Sequence, residues 1–142
     1  INDLLQKIND GYDISVASRY TPGGGTVIIE KSQDSIISAV LSFLMNFVIQ
    51  KILDSSFKDY TSGFIAVKKD ILDDIKLRGD YGEYFIDFIY RAIKKGYKIV
   101  EIPYVCQVRV YGVSKTGSNL IQYFKRGRKY IWTALRLRLT WY

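Results

Sequence analysis

DYTSGFIAVKKDILDDIKL, residues 59–77, runs from turn to strand to helix without a break. Asp59, Ser62 and Gly63 are turn formers: short polar side chains bond the nearby backbone, and glycine reaches φ > 0 without steric cost. FIAVKK (64–69) reads as a short strand, and DILDDIKL (70–77) as a short helix with Asp70 at its N-cap. Downstream, Phe85, Phe88, Ile89, Ala92 and Ile93 trace a helical stripe over 83–95, which Gly96 stops. YKIVEIPY (97–104) is a strand, and the chain stays extended through VCQVRV (105–110). Upstream, DISVASR (13–19) is a strand that delivers Arg19 at its C-terminal end. Before it, Ile1, Leu4, Leu5 and Ile8 repeat at i, i+3, i+4, i+7, giving an opening helix ended by Gly11. Residues 20–34 read as a loop around Pro22 and Gly23–Gly25. Residues 35–53 read as a helix, apolar over most of its circumference, with Ser38, Ser42, Asn46 and Gln50 making a narrow polar seam. The alternation of strand and helix predicts an α/β layer structure.

Three glycine-punctuated segments stand out: ASRYTPGGG (17–25), DYTSGF (59–64) and RVYGVSK (109–115). They carry Arg19, Asp59, Arg109 and Lys115. Loops of this kind let a backbone approach a ligand closely, and together they point to one anion-binding cleft assembled from distant segments.

Composition narrows the chemistry. The 142 residues fit one compact domain or a large piece of one, and 48% hydrophobic with 25% charged residues is globular. There is no histidine, which removes the usual general base and zinc ligand, and the lone Cys106 excludes an internal disulfide. A net charge of +7 favours anionic partners: nucleotide, lipid phosphate, membrane surface or nucleic acid. The longest uncharged run, Ser35 to Gln50, falls short of the roughly 20 residues that span a bilayer.

In this order and spacing, ASRYTPGGG, DYTSGF, YRAIKKGYKIVEIPY and RVYGVSK resemble the family-2 glycosyltransferases that load a sugar onto a polyprenyl phosphate, the dolichol-phosphate mannose synthase family. The resemblance covers about residues 1–117. It implies a GT-A (Rossmann-like) α/β fold, of which 1–117 is the C-terminal half of the catalytic domain. In the family, the first half ends in a D-x-D motif that holds a divalent metal (Mg or Mn) and the diphosphate. No two Asp residues here are separated by one position, so no metal ligand of that kind is present, and the chain, opening on Ile1, reads as beginning just after that motif.

The resemblance also implies roles. Arg19 matches an arginine that reaches the phosphates, and Asp59, Ser62 and Gly63 match a D-x-x-S-G-F turn lining the cleft. That turn is equally an Asx-type turn feeding a strand. Arg109, Ser114 and Lys115 match an R-x-x-G-x-S-K loop that closes over the diphosphate. Asp87 stands where the family usually has Glu; it points away from the apolar stripe, toward solvent or the site, or pairs with Arg91 at i+4. The position of a second phosphate-binding family arginine is Ser38 here, a departure that weakens acceptor-phosphate binding by Ser42 and leaves Lys31 or Lys51 as substitutes. The polar seam is thus either a core feature or a wall of the site.

The implied reaction is inverting transfer of mannose from GDP-mannose to dolichyl phosphate. The close alternative is UDP-glucose or a related donor with another polyprenyl phosphate. The acceptor is already an anionic nucleophile, so the work is holding two anions together and stabilising the leaving group, which suits Arg and Lys. Residues 118–142 read as a basic amphipathic helix. Leu120, Phe124, Ile131 and Leu135 fall on one side, and Lys125, Lys129 and Arg136 on the other, with Trp132 and Trp141 suited to a membrane interface. The helix is thus either an anchor on an anionic membrane or a surface helix packed on the domain. The expected setting is peripheral, on the cytoplasmic face of a membrane. KRGRK (125–129) admits nucleic-acid binding, but that leaves the three loops unexplained, so no nucleic acid is expected. A non-catalytic lipid-phosphate binder is the remaining class.

Overall fold

The computed structural model of the chain describes residues 1–27, 33–79, 81–107 and 120–140. Its centre is strand β1 (Ile14–Ser18), all five residues of which are buried. Continuous burial fits a strand covered on both faces. On one edge β4 (Ile99–Pro103) pairs with it in parallel, from Ile14↔Ile99 to Ser18↔Pro103. On the other, β3 (Ile65–Val67) pairs antiparallel, with Val16 opposite Ile65. Proline closes the parallel ladder at its end, where its missing N–H costs least.

Asp13 fixes the start of this mixed sheet. Its carboxylate takes the Lys68 ammonium at 2.8 Å and the Lys98 N–H at 2.9 Å, so one side chain ties β1 to both neighbours. The Lys68 bond, with the Lys98 N–H, holds the Asp13 carboxyl below its usual range.

The expected elements are present with shifted ends. The opening helix is α1 (Asn2–Asn9), the long apolar helix α2 (Gln33–Ile52) and the stripe helix α4 (Glu83–Lys94). Helix α3 (Lys69–Asp74) starts one residue earlier than expected: Lys68 is its N-cap, without a side-chain cap bond, and Asp70 lies in the first turn. The expected loop after Arg19 contains a short strand, β2 (Gly25–Thr26), parallel to β5 (Val105–Cys106). This second, two-stranded sheet is where the extended stretch after Pro103 goes; residues 108–110 lie outside the described residues.

One hydrophobic core draws Ile14 and Val16 from β1, Ile49 from α2, Phe57 and Tyr60 from the turn, Ile71 from α3, and Phe85, Phe88 and Ile89 from α4. Helix α5 (Leu120–Thr140) adds Ala134 and Leu137. α4 is buried from Phe85 to Ala92 because α5 covers the face turned away from its apolar stripe.

That packing corrects the expected face of the last helix. Gly127, Thr133, Ala134 and Leu137 are buried, whereas Leu135, assigned to the apolar side, is exposed. Small residues set the docking side because they let two helices approach closely. Lys129 and Arg136, placed on the opposite side, are exposed and reach acids on α4: Lys129 lies 3.5 Å from Glu83 and Arg136 3.7 Å from Asp87. The outward face of α5 carries Arg128, Trp132, Leu135 and Leu139. Helix α2 leaves Ile36, Val40, Phe43, Leu44, Phe47 and Val48 exposed along one side. No helix among the described residues is long and apolar enough to cross a membrane.

Candidate functional site: an arginine–aspartate fork at the end of β1

β1 ends by presenting Arg19 to the turn that precedes β3. The Arg19 guanidinium meets Asp59 side-on, Nε to Oδ2 and Nη2 to Oδ1, each at 2.9 Å. The Arg19 backbone N–H also donates to Oδ2 at 3.0 Å, and Nη2 donates to the Thr61 hydroxyl at 2.7 Å. Asp59 is fully buried, and its Oδ1 takes the Thr61 N–H and hydroxyl as well. A bidentate fork of this kind is directional as well as strong. Burial works against the Arg19 charge, but the Asp59 bonds outweigh it and the guanidinium is held even more firmly protonated than usual.

The turn itself is clamped from two elements. Glu101, on β4, accepts the Lys58 N–H on Oε2 at 2.7 Å and the Asp59 N–H on Oε1 at 3.0 Å. From α2, Asn46 donates to the Lys58 carbonyl and accepts the Tyr60 N–H, and Gln50 adds a second bond to the same carbonyl. Ser62 donates its hydroxyl to the Ala17 carbonyl and accepts the Phe64 N–H, so it splices the turn onto β1. Gly63 has φ 69, the left-handed conformation that the chain needs between Ser62 and β3.

The glycine triplet lies directly on Arg19. A Cβ on Gly24 would collide with the Ser18 carbonyl oxygen and sit 2.9 Å from the Arg19 carbonyl carbon. Aromatic rings flank the cluster: Tyr20 lies under the guanidinium at 5.2 Å and meets Phe43 edge-on, and Phe64 meets Tyr104 edge-on. Phe43 belongs to the exposed side of α2, so that apolar side begins beside the fork.

Arg19, Asp59, Ser62 and Gly63 are therefore brought together. Ser42 is half-buried on α2, one turn before Asn46. The lower half of the polar seam, Asn46 and Gln50, bonds and braces the turn. Asp87 is elsewhere. It is almost fully buried and bonds Arg91 Nε at 2.8 Å, with Arg136 beyond. It does not face solvent, because α5 covers it, and of the sequence alternatives the pairing with Arg91 is present. Among the described residues, no hydrogen bond or ion pair joins it to Arg19 or Asp59. Arg109, Ser114, Lys115, Trp141 and Lys31 lie outside the described residues, as does the side chain of Ser38. Lys51 is exposed beside the Phe47 ring.

Thr61 and Glu101 were not singled out by sequence. The available signal for Glu101 was a single acid within the apolar strand Ile99–Pro103. Burial pushes its carboxyl up, against the two backbone donors and the Ser18 hydroxyl, and the nearby Asp59 charge adds to the rise. The two carboxylates, Asp59 and Glu101, already have donors on both oxygens, and no group of three or more metal-ligating side chains gathers among the described residues. The described residues do not fit a divalent-cation site.

The fork, the glycine-rich loop on its backbone and the serine-braced turn bring two of the family motifs, ASRYTPGGG and DYTSGF, together at the end of β1. No protein-family model matches the chain. Curated relatives do. Over 124 residues it is 33% identical to a polyprenol monophosphomannose synthase of Mycolicibacterium smegmatis, covering 84% of this chain and 45% of the relative. Over 126 residues it is 29% identical to a dolichol-phosphate mannosyltransferase of Pyrococcus furiosus, covering 88% and 34%. A dolichyl-phosphate hexose transferase of Haloferax volcanii matches at 29% over 101 residues, 70% and 40%. The class is that of the glycosyltransferases. Within it, the chain belongs to the polyprenyl-phosphate mannosyltransferase family, glycosyltransferase family 2. It spans less than half the length of each of these relatives.

Proposed function

We propose that these residues form the acceptor-side half of a GT-A domain that transfers mannose from GDP-mannose to a polyprenyl phosphate such as dolichyl phosphate, with inversion. The observation that carries this reading is the Arg19–Asp59 fork, where the ASRYTPGGG and DYTSGF segments meet at the end of β1. A guanidinium fixed by a buried carboxylate keeps its charge and direction, which suits a phosphate-bearing ligand that must be held rather than chemically activated. Ser42 and the exposed side of α2 lie on the acceptor side, and the Arg109–Lys115 loop closes over the leaving diphosphate. The divalent metal, Mg or Mn, belongs to a D-x-D segment outside these 142 residues; when bound, it supplies positive charge for the diphosphate.

We also propose a peripheral position on the cytoplasmic side of an anionic membrane; the outward face of α5 supports the membrane contact. Trp132 and Leu139 are exposed there, with Arg128 beside them, the pattern of an interfacial helix. A second reading keeps the reaction and changes the sugar, since one relative is named a hexose transferase. The test is to supply the full-length protein with dolichyl phosphate, Mg or Mn, and labelled GDP-mannose, UDP-glucose or other nucleotide sugars in turn. Lipid-linked mannose is expected; label transferred only from UDP-glucose would install the second reading, and no transfer from any donor would sink both.

A further inference from the structure

The fork depends on a residue that does not touch it. Asp59 can aim Arg19 only if its own backbone is fixed, and that backbone lies in a turn without a ladder of its own. Asn46, Glu101 and, on the Lys58 carbonyl, Gln50 supply the missing partners. Asn46 holds the Lys58 carbonyl and the Tyr60 N–H, on either side of residue 59. Glu101 holds two successive N–H groups, those of Lys58 and Asp59. The site of attachment matters. Glu101 sits opposite Val16 in the parallel pairing of β4 with β1, two residues before the Ser18↔Pro103 pair that ends it. The strand that carries Arg19 and the carboxylate that fixes Asp59 are thereby parts of one rigid ladder.

We propose that Glu101 is a positioning residue: by bonding the Lys58 and Asp59 N–H groups with its two oxygens, it sets the Asp59 carboxylate that aims the Arg19 guanidinium. The role rests on the reading above that Arg19 serves the phosphates. The geometry calls for a carboxylate specifically. Both oxygens accept, one from each of two successive N–H groups, and an amide offers only one acceptor while turning its NH2 toward the other donor. Placing this carboxylate beside Asp59 has a cost at Glu101, whose carboxyl is pushed up, first by burial and further by the Asp59 charge. An arrangement in which two acids sit together at a cost is accounted for if one of them fixes the direction in which the other holds Arg19.

The test uses the full-length protein in two arms, the first independent of activity. The Arg19 Nε–H resonance, assigned by its loss in Arg19→Lys, should be slowly exchanging in the wild type because it is locked to Asp59. In Glu101→Gln, and in Glu101→Asp, whose shorter arm cannot span both N–H groups, it should move toward the exposed-arginine position or be lost to exchange. The Ile14 and Ile86 methyl signals should stay in place. In the second arm, kcat/KM for mannosyl transfer should fall about tenfold or more in Glu101→Gln, the scale expected of small misplacements of a binding group. An unmoved Arg19 resonance in any variant with native methyl signals overturns the proposal, as does global unfolding of both variants, which would make Glu101 purely structural. Absence of transfer by the wild type would instead strike the functional reading, leaving the resonance arm to judge Glu101.

Discussion

Asn46 spans residue 59 of the turn: its Oδ1 accepts the Tyr60 N–H at 2.8 Å while its amide nitrogen donates to the Lys58 carbonyl. α2 thus braces Asp59 without touching its side chain. The brace separates two roles, since the turn has its own backbone supports while the Asp59 carboxylate is left to Arg19 and Thr61.

Removing that carboxylate should therefore leave the turn in place and strand a mostly buried guanidinium. Asp59→Asn should cost about 3 kcal/mol, in line with breaking a buried ion pair from one side. Urea denaturation measures it; a loss below about 1 kcal/mol would mean that the fork contributes little to the fold.

Gly24 and Gly25 make a controlled pair. A Cβ on Gly24 meets the Ser18 and Arg19 backbone, which cannot yield without moving the strand end, whereas a Cβ on Gly25 meets nothing within 4 Å. Gly24→Ala should lose about 1–3 kcal/mol, the usual range for overpacking, and transfer activity with it. Gly25→Ala should stay within about 0.5 kcal/mol of wild type. Equal effects would contradict the described course of the triplet.

The two faces of α5 should respond oppositely. Leu137→Ala, in the core, is expected to cost about 2–4 kcal/mol. Trp132→Ser with Leu139→Ser, on the outward face, should leave the thermal midpoint near wild type and release the protein from anionic vesicles. Vesicle binding at full affinity in the double variant would remove this face from membrane contact.

Asp13 sets a pH dependence. Its folded pKa is lowered by the Lys68 bond and the Lys98 N–H, so its contribution is present above the unfolded value, about 3.9, and is lost as pH falls through the folded one. Wild-type stability should drop below about pH 4, and Asp13→Asn should show a shallower drop over the same range. Salt should weaken the contribution, because Lys68 is about one-third exposed. Parallel pH curves for the two proteins would refute the linkage.

For Lys115, whose role is proposed from the family motif, Lys115→Ala in the full-length enzyme should cost roughly 2–4 kcal/mol of transition-state stabilisation. A cation on a departing diphosphate acts most as charge builds, so kcat should fall more than KM rises. Lys115→Arg should recover only part. Wild-type constants in Lys115→Ala would take the residue out of the mechanism.

Much of the cluster was legible because its residues announce themselves by type. Arg19 closes a strand, and Asp59, Ser62 and Gly63 have the turn chemistry that the structure displays. Glu101 was silent because it acts on backbone N–H groups, which every residue has and no motif marks. The face of α5 was misread because a stripe of large apolar residues attracts attention, while Gly127, Thr133 and Ala134 mark the docking side by being small. The burial of Asp87 could not be read from α4 alone, since it is α5 that covers it. β2 is two residues long, too short for any periodicity to appear.

The turn around Asp59 also ties the site to the folding of the whole domain. Its partners lie 40 residues away at Arg19, just past the end of β1, and 42 at Glu101 on β4, and these two strands are joined by a parallel ladder. Contacts so distant along the chain form only after the intervening segments have condensed, and they open only when those segments separate. The Asp59 amide should accordingly exchange with solvent at the slow rate of the core, unlike an ordinary surface turn. A ligand that bonds this fork therefore draws on the cooperativity of the sheet beneath it, and partial unfolding abolishes the site rather than loosening it.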